Sequence, residues 1–477
     1  MGIDPHYQFM GRFITPLLMA GLMLLAATAL DWNTELSWYD QHRIEQIGLL
    51  GWVALGMLTF WRRDIAASVM CLPRWVGIAF AWAFGLGLVS VITAAYPRFA
   101  ALEWATFLLL LGLAFLLAKQ AGKAGFDVWA IRLIGALAGV IALKIMTAYL
   151  AAMLTIGHLD TILLFEGTFS NRRFFGQVAS MVIPLLAYPL LRGDLSRGTQ
   201  AALIMLLAVW WMLVIVSGTR GTWMALAVAS VVLGAYAWRT CAGWLRIQML
   251  ALGMGVLLFG MLFVWLPSLL GSGALLETRL NSLATLSGRE VLWSIAWAQI
   301  QAHPWLGIGP MHLASIRNNF GAHPHNAGLQ LAAEWGIPAA VAFLLPVVIG
   351  LLCLLRRLRQ QGFSTNPLLV CLTASLLAAT AQSMVDGVIV IPYTQTLLVL
   401  VVGWTLGTYY RGGTQLSISK KSHVVEWGAA VISMLALLAL LNGDVPEVLN
   451  RAEVTQAYVD AGNPLVPPRY WAVGWIP

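Results

Sequence analysis

Apolar stretches of about 20 residues, each long enough to cross the hydrocarbon core of a bilayer as a helix, recur along the whole chain. Thirteen such runs lie near residues 13–30, 44–61, 75–95, 100–118, 131–154, 174–191, 201–216, 221–238, 245–266, 336–355, 367–385, 392–410 and 424–442. We therefore predict an all-α polytopic membrane protein with 12–13 transmembrane helices, the lower number applying if the last run lies in the membrane interface. The first run, from Phe13 to Leu30, is expected to act as an uncleaved anchor.

The composition excludes a soluble globular protein. Hydrophobic residues make up 60% of the 477 residues and charged residues only 10%, whereas a soluble domain has about 25% charged residues. The net charge is +8, but the basic residues lie in short loops between apolar runs, so they indicate topology rather than nucleic-acid binding. A disulfide framework is not indicated, because every cysteine lies in or beside an apolar run: Cys71, Cys241, Cys353 and Cys371.

The distribution of Lys and Arg predicts the orientation. With the amino terminus inside, the inside segments carry 17 basic residues: Arg12, Arg62, Arg63, Arg74, Lys119, Lys123, Arg132, Arg192, Arg197, Arg239, Arg246, Arg356, Arg357, Arg359, Arg411, Lys420 and Lys421. The outside segments carry ten: Arg43, Arg98, Arg172, Arg173, Arg220, Arg279, Arg289, Arg317, Arg451 and Arg469. This bias favours the chosen orientation, in which the carboxyl-terminal tail lies outside.

All the predicted outside cations are arginines. The planar guanidinium binds phosphate through two parallel hydrogen bonds and keeps its charge when partly dehydrated, so the pattern is typical of an anion-binding surface. A compositional bias explains it equally well, because the whole chain has 23 arginines and 5 lysines.

One connecting segment, residues 267–335, is much longer than the others and is the expected place for function. The chain then divides into an N-terminal transmembrane bundle of about nine spans (1–266), this large and partly helical outer loop (267–335), C-terminal spans (336–442) and an outer tail (443–477).

Two arginines are predicted at the starts of helices. Ser287-Gly288-Arg289-Glu290 resembles a capping box, which would open a helix toward Pro304 with Arg289 in its first turn. Free backbone N–H groups and the helix dipole favour an anion there, although the arginine could also merely solvate the helix end. Arg220 follows a short Ser217–Gly221 break between two spans, where phosphate binding and snorkelling to the interface are both possible.

A second pair of outer arginines, Arg172 and Arg173, directly precedes the span near 174–191. They could provide another phosphate or sugar-phosphate contact, or simply anchor the span locally.

The segment His323-Pro324-His325-Asn326 precedes a short helix that is expected to end at Gly336. Asn326 is a plausible N-cap, which places His325 beside a helix N-terminus whose field favours the neutral imidazole that a general base needs. A two-histidine metal site and a loop histidine without a role are the alternatives. The metal site lacks carboxylate or cysteine partners at ligand spacing.

Three ionisable residues, Glu103, Lys144 and Asp386, fall within or at the edge of spans, where they could pair inside the bundle or line a cavity. No two acidic residues stand two positions apart, so an Asp-x-Asp metal–nucleotide motif is absent, as are the Walker A and dinucleotide-binding glycine motifs. We predict no metal and no cofactor.

These features together resemble the O-antigen ligase/polymerase family of bacterial inner-membrane proteins. The matching pieces are Ser217-Gly218-Thr219-Arg220-Gly221, Ser287-Gly288-Arg289 with a tryptophan-bearing helix, the turn from Pro304 to Pro310, and His325-Asn326 followed by Gln330, Glu334, Trp335 and Gly336. They lie in order within residues 170–340, whereas the first five spans and the tail match only in hydrophobicity.

The resemblance implies a Gram-negative inner-membrane glycosyltransferase of the GT-C type with a periplasmic active site. Its donor would be a glycan on undecaprenyl diphosphate and its acceptor the lipid A–core oligosaccharide. Carried over to this chain, Arg220 and Arg289 would hold the diphosphate and His325 would deprotonate or orient the acceptor hydroxyl. Arg172 or Arg173 would assist at the donor, and His323 and Asn326 would contact substrate. With arginines in place of a metal, the transfer is expected to be metal-independent and inverting.

Three rival functions are compatible with the sequence. An O-antigen polymerase would use the same donor, but such proteins often divide their outer chemistry between two comparable loops. A protein O-oligosaccharyltransferase usually resembles its relatives in a larger carboxyl-terminal outer domain. A flippase or transporter of anionic lipids would be expected to show helix breaks near the midplane and related halves, and neither is evident in the sequence.

Overall fold

The structure is a computed structural model that describes residues 15–59, 72–121, 125–155, 163–269, 288–361, 366–411, 422–463 and 467–477. All regular elements within these ranges are helical. Several residues of the sequence analysis lie outside them: Arg12, Phe13, Arg62, Arg63, Cys71, Lys123, Arg279, Ser287, Lys420 and Lys421.

The helices follow one another along the chain as α1 (Thr15–Ala29), α2 (Trp38–Thr59), α3 (Arg74–Thr93), α4 (Pro97–Ala121), α5 (Phe126–Thr155), α6 (Leu163–Phe169), α7 (Arg172–Leu186), α8 (Tyr188–Arg192), α9 (Arg197–Ser217) and α10 (Arg220–Phe259). A π-helix (Gly260–Trp265) leads into α11 (Leu266–Leu269). The rest are α12 (Arg289–Ala302), a 3₁₀ turn (His312–Ser315), α13 (Ala327–Trp335), α14 (Ile337–Gln361), α15 (Pro367–Ser383), α16 (Pro392–Tyr409), α17 (Ser422–Leu449) and α18 (Arg451–Asp460).

The all-α polytopic prediction is confirmed. Within the described ranges, seven helices are long and apolar enough to cross a membrane, and α1 and α15 are shorter apolar helices. Within the described ranges, each predicted apolar run overlaps a helix. The choice between twelve and thirteen spans stays a prediction.

Helix α10 is a hairpin of two arms rather than one straight rod. Its helical geometry breaks at Ala237, where φ is −137° and ψ is 41°. Trp211 packs against Trp223 in the first arm, with ring centroids 5.6 Å apart, and its Nε1 donates to Gln248 Oε1 in the second arm at 3.0 Å. A straight helix would separate those two partners by about 37 Å at 1.5 Å per residue. The two runs predicted here are therefore antiparallel neighbours.

The start of α2 corrects the predicted span 44–61, because the helix begins at Trp38 and not near residue 44. Its first turns are polar yet buried, and they include Asp40, His42 and Arg43. These side chains bind other parts of the protein, so burial of this stretch does not depend on its hydropathy.

Close packing inside the bundle depends on small residues. A Cβ added at Gly403 or Gly407 of α16 would lie 2.6 or 2.3 Å from atoms of Leu117 or Ala118 in α4. The backbones of α4 and α16 therefore approach closely, which is the usual basis of helix association in lipid.

Contacts between distant segments identify the two ends of the bundle. At one end, Asp40 accepts from the Ala472 N–H at 2.8 Å and Glu103 pairs with Arg469. At the opposite end, Arg411 pairs with Asp127 at 2.7 Å. We call the first end the outer end, because it gathers the segments predicted to lie outside. That it faces the periplasm stays a prediction.

Lys144, which the sequence places inside a span, has structural partners. Its Nζ donates to the Thr28 carbonyl at 2.7 Å and lies 4.1 Å from the centre of the Trp38 ring. The contacts link α5 to the ends of α1 and α2, as expected for a residue that pairs within the bundle.

Candidate active site

Two hydrogen bonds of the Asn326 side chain hold the turn before α13 in place. Its side-chain Oδ1 accepts the Leu329 N–H at 3.0 Å, so Asn326 is the N-cap, as predicted. Its Nδ2 donates to the Met384 carbonyl at 3.0 Å. The cap therefore joins the turn that carries His325 to the short segment between α15 and α16.

His325 faces a buried carboxylate in that segment. Its Nδ1 lies 3.7 Å from Asp386 Oδ1, and both side chains are largely buried. The separation exceeds a hydrogen bond, but catalytic hydrogen bonds are often long before substrate binds. His325 has a φ of +53°, a left-handed conformation that is uncommon for a residue other than glycine and that clusters at functional sites.

Asp386 is suited to orient a cation or an imidazole N–H. Burial acts to raise its pKa, but His325, the Gly387 amide and Arg173 offset this, so the pKa of Asp386 lies below its usual range. The Gly387 N–H donates to its Oδ1 at 2.9 Å. Asp386 is therefore ionised at neutral pH, and its charge favours the His325 tautomer with a proton on Nδ1.

His323 supports the His325 turn from inside the protein. It is 3% exposed, its Nδ1 accepts the His325 N–H at 3.3 Å, and its ring fills the space that a Cβ at Gly387 would need. Burial lowers the pKa of His323 well below its usual value, and the charges of His325, Arg469 and Arg173 add to this. Its ring is therefore neutral, and the predicted contact with substrate stays a prediction.

Arg289 is the first residue of α12, so its predicted place in a first helical turn is confirmed. The predicted capping box is wrong, because the N-cap is Gly288 and Glu290 is then the second rather than the third helical residue. Gly288 has a φ of +71° and lies against the Phe320 ring, which leaves no room for a side chain. One turn further along α12, Trp293 Nε1 donates to the Pro324 carbonyl at 2.9 Å and so joins α12 to the turn that carries His323 and His325.

The Arg289 guanidinium is partly buried among charges. Burial lowers the pKa of Arg289. The negative charge of Asp386 acts to raise it, and the positive charges of Arg173 and Arg220 lower it further. Its Nε is buried, and no hydrogen-bond partner lies within the ranges that the structure describes. A cation with a buried, unpartnered donor beside two further cations forms a place where an anion would be stabilised.

Arg173 and Arg220 reach the same region from two neighbouring helices. Arg220 begins α10, as predicted, and is exposed, while Arg173 lies in the first turn of α7. The helices touch at Gly176, where a Cβ would lie 2.4 Å from Thr222 Oγ1. Because Gly176 is three residues after Arg173, it lies on the same helix face, and this contact brings the starts of both helices together.

The structure thus brings together most of the residues that the sequence selected. His325 lies 3.7 Å from Asp386, and Asn326 and His323 contact its neighbours Met384 and Gly387. The charges of Arg173 and Arg289 interact with Asp386 and that of Arg220 with Arg289, while a Cβ at Gly221, the residue after Arg220, would lie 3.4 Å from Val385. Arg172 is the first residue of α7 and is partly buried. Its neighbour Arg173, rather than Arg172, contributes the positive charge that lowers the pKa of both Asp386 and His323. The described residues contain no group of three potential metal ligands.

Sequence reasoning missed a second buried cluster at the outer end. Arg469 Nη2 donates to Glu103 Oε2 at 2.7 Å and to Glu334 Oε2 at 2.5 Å. In the sequence, Glu334 is notable only as part of the family motif, and Arg469 only as one of the predicted outside cations. Arg43 is also buried, donating to the Tyr470 carbonyl at 2.8 Å. Both of these outside arginines therefore bind protein groups.

Because of Glu334 at the outer end, we expect the free energy of unfolding to fall as the pH rises toward about 8. Burial raises the pKa of Glu334 from 4.5 to about 8; Arg469 opposes this rise and Glu103 adds to it. The folded state therefore keeps a proton that the unfolded chain loses at lower pH, and increasing pH favours unfolding. In detergent, the melting temperature should decrease from mildly acidic to mildly alkaline pH, and Glu334→Gln should flatten the decrease. Equal slopes for both proteins would contradict the assignment.

Residues 201–344 match the sequence model of a protein family described as O-antigen ligase. No curated protein matches the chain. The matched segment contains Arg220, Arg289 and His325, whereas Arg173 and Asp386 lie outside it. The resemblance noted in the sequence is confirmed over residues 201–344, the part of the chain that matches the O-antigen ligase family model.

Proposed function

We propose that the protein is an O-antigen ligase that transfers a glycan from undecaprenyl diphosphate to a hydroxyl of the lipid A–core oligosaccharide, at the periplasmic face of the Gram-negative inner membrane. The family match supports an enzyme that acts on lipid-linked glycans. One observation carries the proposal furthest: Arg173, Arg220 and Arg289 gather beside the His325–Asp386 pair. An anion site and a candidate base therefore adjoin each other.

The arginines would act on the leaving group. Cleavage of the bond between the sugar C1 and the diphosphate oxygen leaves both bonding electrons on the diphosphate. Guanidinium groups fixed near that oxygen stabilise the charge as it develops, and they do so best where burial limits screening by water. The part-buried Arg289, with its unpartnered Nε among the described residues, is the best placed of the three to serve this purpose.

His325 would act on the acceptor. With its Nδ1 directed to Asp386, its Nε2 can accept the hydroxyl proton as the acceptor oxygen bonds to C1. Asp386 then stabilises the imidazolium that forms. A single displacement of this kind inverts the configuration at C1. The apolar helices would leave the polyprenyl chain in or beside the bilayer, with membrane lipids as its other neighbours.

Transfer by the purified protein tests the proposal. The protein in liposomes would be given a glycan on undecaprenyl diphosphate, with lipid A–core, a second lipid-linked glycan or a secreted protein as acceptor. Product on lipid A–core supports the ligase. Glycan lengthening would indicate a polymerase instead, and a glycosylated protein would indicate an oligosaccharyltransferase. Movement of donor between leaflets without any transfer would indicate a flippase.

Transfer is expected to continue at an unchanged rate in excess chelator. Three arginines beside the reacting bond can supply the electrostatic stabilisation that a divalent cation supplies elsewhere. The measurement compares initial rates with and without EDTA in the same liposome preparation. Loss of activity that only Mg²⁺ or Mn²⁺ restores would contradict a metal-independent mechanism.

A further inference from the structure

The last residues of the chain, 467–477, are an integral part of the outer end. The Tyr39 hydroxyl donates to the Arg469 carbonyl at 2.6 Å, and the Ala472 N–H donates to Asp40 at 2.8 Å. The Ile476 N–H donates to the Ala314 carbonyl at 3.3 Å, beside the large loop. We call residues 467–477 the carboxyl-terminal segment. It connects α2 to the loop that carries the candidate active site.

Arg469, near the start of this segment, is 1% exposed. Its Nη2 is within hydrogen-bond distance of Glu103 Oε1 at 2.8 Å and Oε2 at 2.7 Å, and of Glu334 Oε2 at 2.5 Å. Glu103 belongs to α4, a membrane helix, whereas Glu334 belongs to the last turn of α13. One guanidinium therefore joins the membrane bundle to a helix of the large loop.

Helix α13 connects Glu334 to the turn that carries His325. The helix runs from Ala327 to Trp335, and its N-cap Asn326 directly follows His325. A helix of nine residues is short and stiff, with a length of about 14 Å at 1.5 Å per residue. Glu334 also accepts the Leu313 N–H at 3.0 Å, so the end of α13 is held by both the carboxyl-terminal segment and the loop.

We propose that Arg469 is a positioning residue for glycan transfer: by holding Glu334 against Glu103, it sets α13 so that His325 faces Asp386 and the three arginines. The catalytic part of this proposal rests on the proposed function. Arg469 is not itself a catalytic residue, because it is buried and its described hydrogen bonds are to protein groups.

Kinetics of single and double variants test the connection. Arg469→Gln is expected to lower kcat by on the order of 10- to 100-fold, the scale of a small misplacement of reacting groups. The KM for the donor should change little, because the three arginines are untouched. Glu334→Gln should have a similar effect, and the double variant should be no worse than either single variant, because both remove one connection. Unchanged kcat in Arg469→Gln, or additive losses, would overturn the proposal.

Loss of Arg469 also leaves the buried side chains of Glu103 and Glu334 without the guanidinium that binds them, which destabilises the folded state. The variant Arg469→Gln/Glu103→Gln removes one charge of each sign and still breaks the connection to Glu334. It should show the same reduced kcat with a melting temperature nearer that of the wild type. Normal kcat in this balanced variant would overturn the proposal. Arg317→Gln is the matched control, because exposed Arg317 lies 5.1 Å from the Trp475 ring of the same segment but has no described contact with Glu334.

Hydrogen–deuterium exchange separates this proposal from the proposed function, because it needs no substrate. Arg469→Gln should raise amide exchange in residues 321–335, and Arg317→Gln should leave it unchanged. Unaltered exchange in Arg469→Gln would overturn the positioning role even if the wild type transfers glycan. Conversely, a wild type that transfers glycan to no acceptor would overturn the proposed function, while raised exchange would still support the structural connection.

Discussion

His325→Ala is expected to reduce glycan transfer by about 10²- to 10⁴-fold, the usual contribution of a positioned general base. The imidazole Nδ1 lies 3.7 Å from the ionised Asp386, which leaves Nε2 to accept the acceptor proton. Without the ring, the hydroxyl would have to attack while still protonated. The measurement is the initial rate in liposomes, with lipid A–core and the donor both at saturating concentration.

The variant should keep its affinity for the donor, because the arginines belong to other elements of the structure. The KM for the lipid-linked glycan therefore distinguishes loss of the base from collapse of the site. Asp386→Asn should also lower kcat, since an amide does not stabilise the imidazolium that forms on His325. A His325→Ala protein that transfers glycan near the wild-type rate would exclude this residue as the base.

The helices could be predicted from the sequence because the bilayer imposes a local requirement on each of them. Every span needs its own run of apolar residues, and such a run can be read without knowledge of its neighbours. The same holds for Arg220, Arg289 and Asn326, whose places at helix starts follow from the residues next to them. Arg173 was correctly placed at the start of α7 for the same reason.

Contacts between distant parts of the chain could not be predicted in this way. The separation between His325 and Asp386 is 61 residues, and that between Glu103 and Arg469 is 366. Nothing near Asp386 in the sequence indicates its partner, so the sequence left it as an ionisable residue at the edge of a span. The carboxyl-terminal segment shows the same limitation, because its polar contacts with α2 are invisible in a hydropathy profile.

Arg220→Lys and Arg289→Lys are each expected to reduce transfer severely, by about 10²- to 10³-fold, comparable with the loss of one oxyanion-stabilising group. Lysine keeps the positive charge but loses the planar pair of donors that fits two phosphate oxygens. A lysine at position 289 would also be deprotonated more easily than one at an exposed position. Burial already lowers the pKa of Arg289, and the positive charges of Arg173 and Arg220 add to this, so an ammonium there would lose its proton more readily.

Arg317→Lys provides the matched control at the outer end, because Arg317 is exposed and lies outside the cluster around Asp386. It should transfer glycan at the wild-type rate. The three variants would be compared as kcat and donor KM under one salt concentration, since exposed charges are screened by salt. A fall in kcat at Arg220 and Arg289 would show stabilisation of the departing diphosphate, whereas a rise in KM alone would show ground-state binding. Near-normal transfer by both variants would argue that charge alone is sufficient and would contradict a bidentate diphosphate contact.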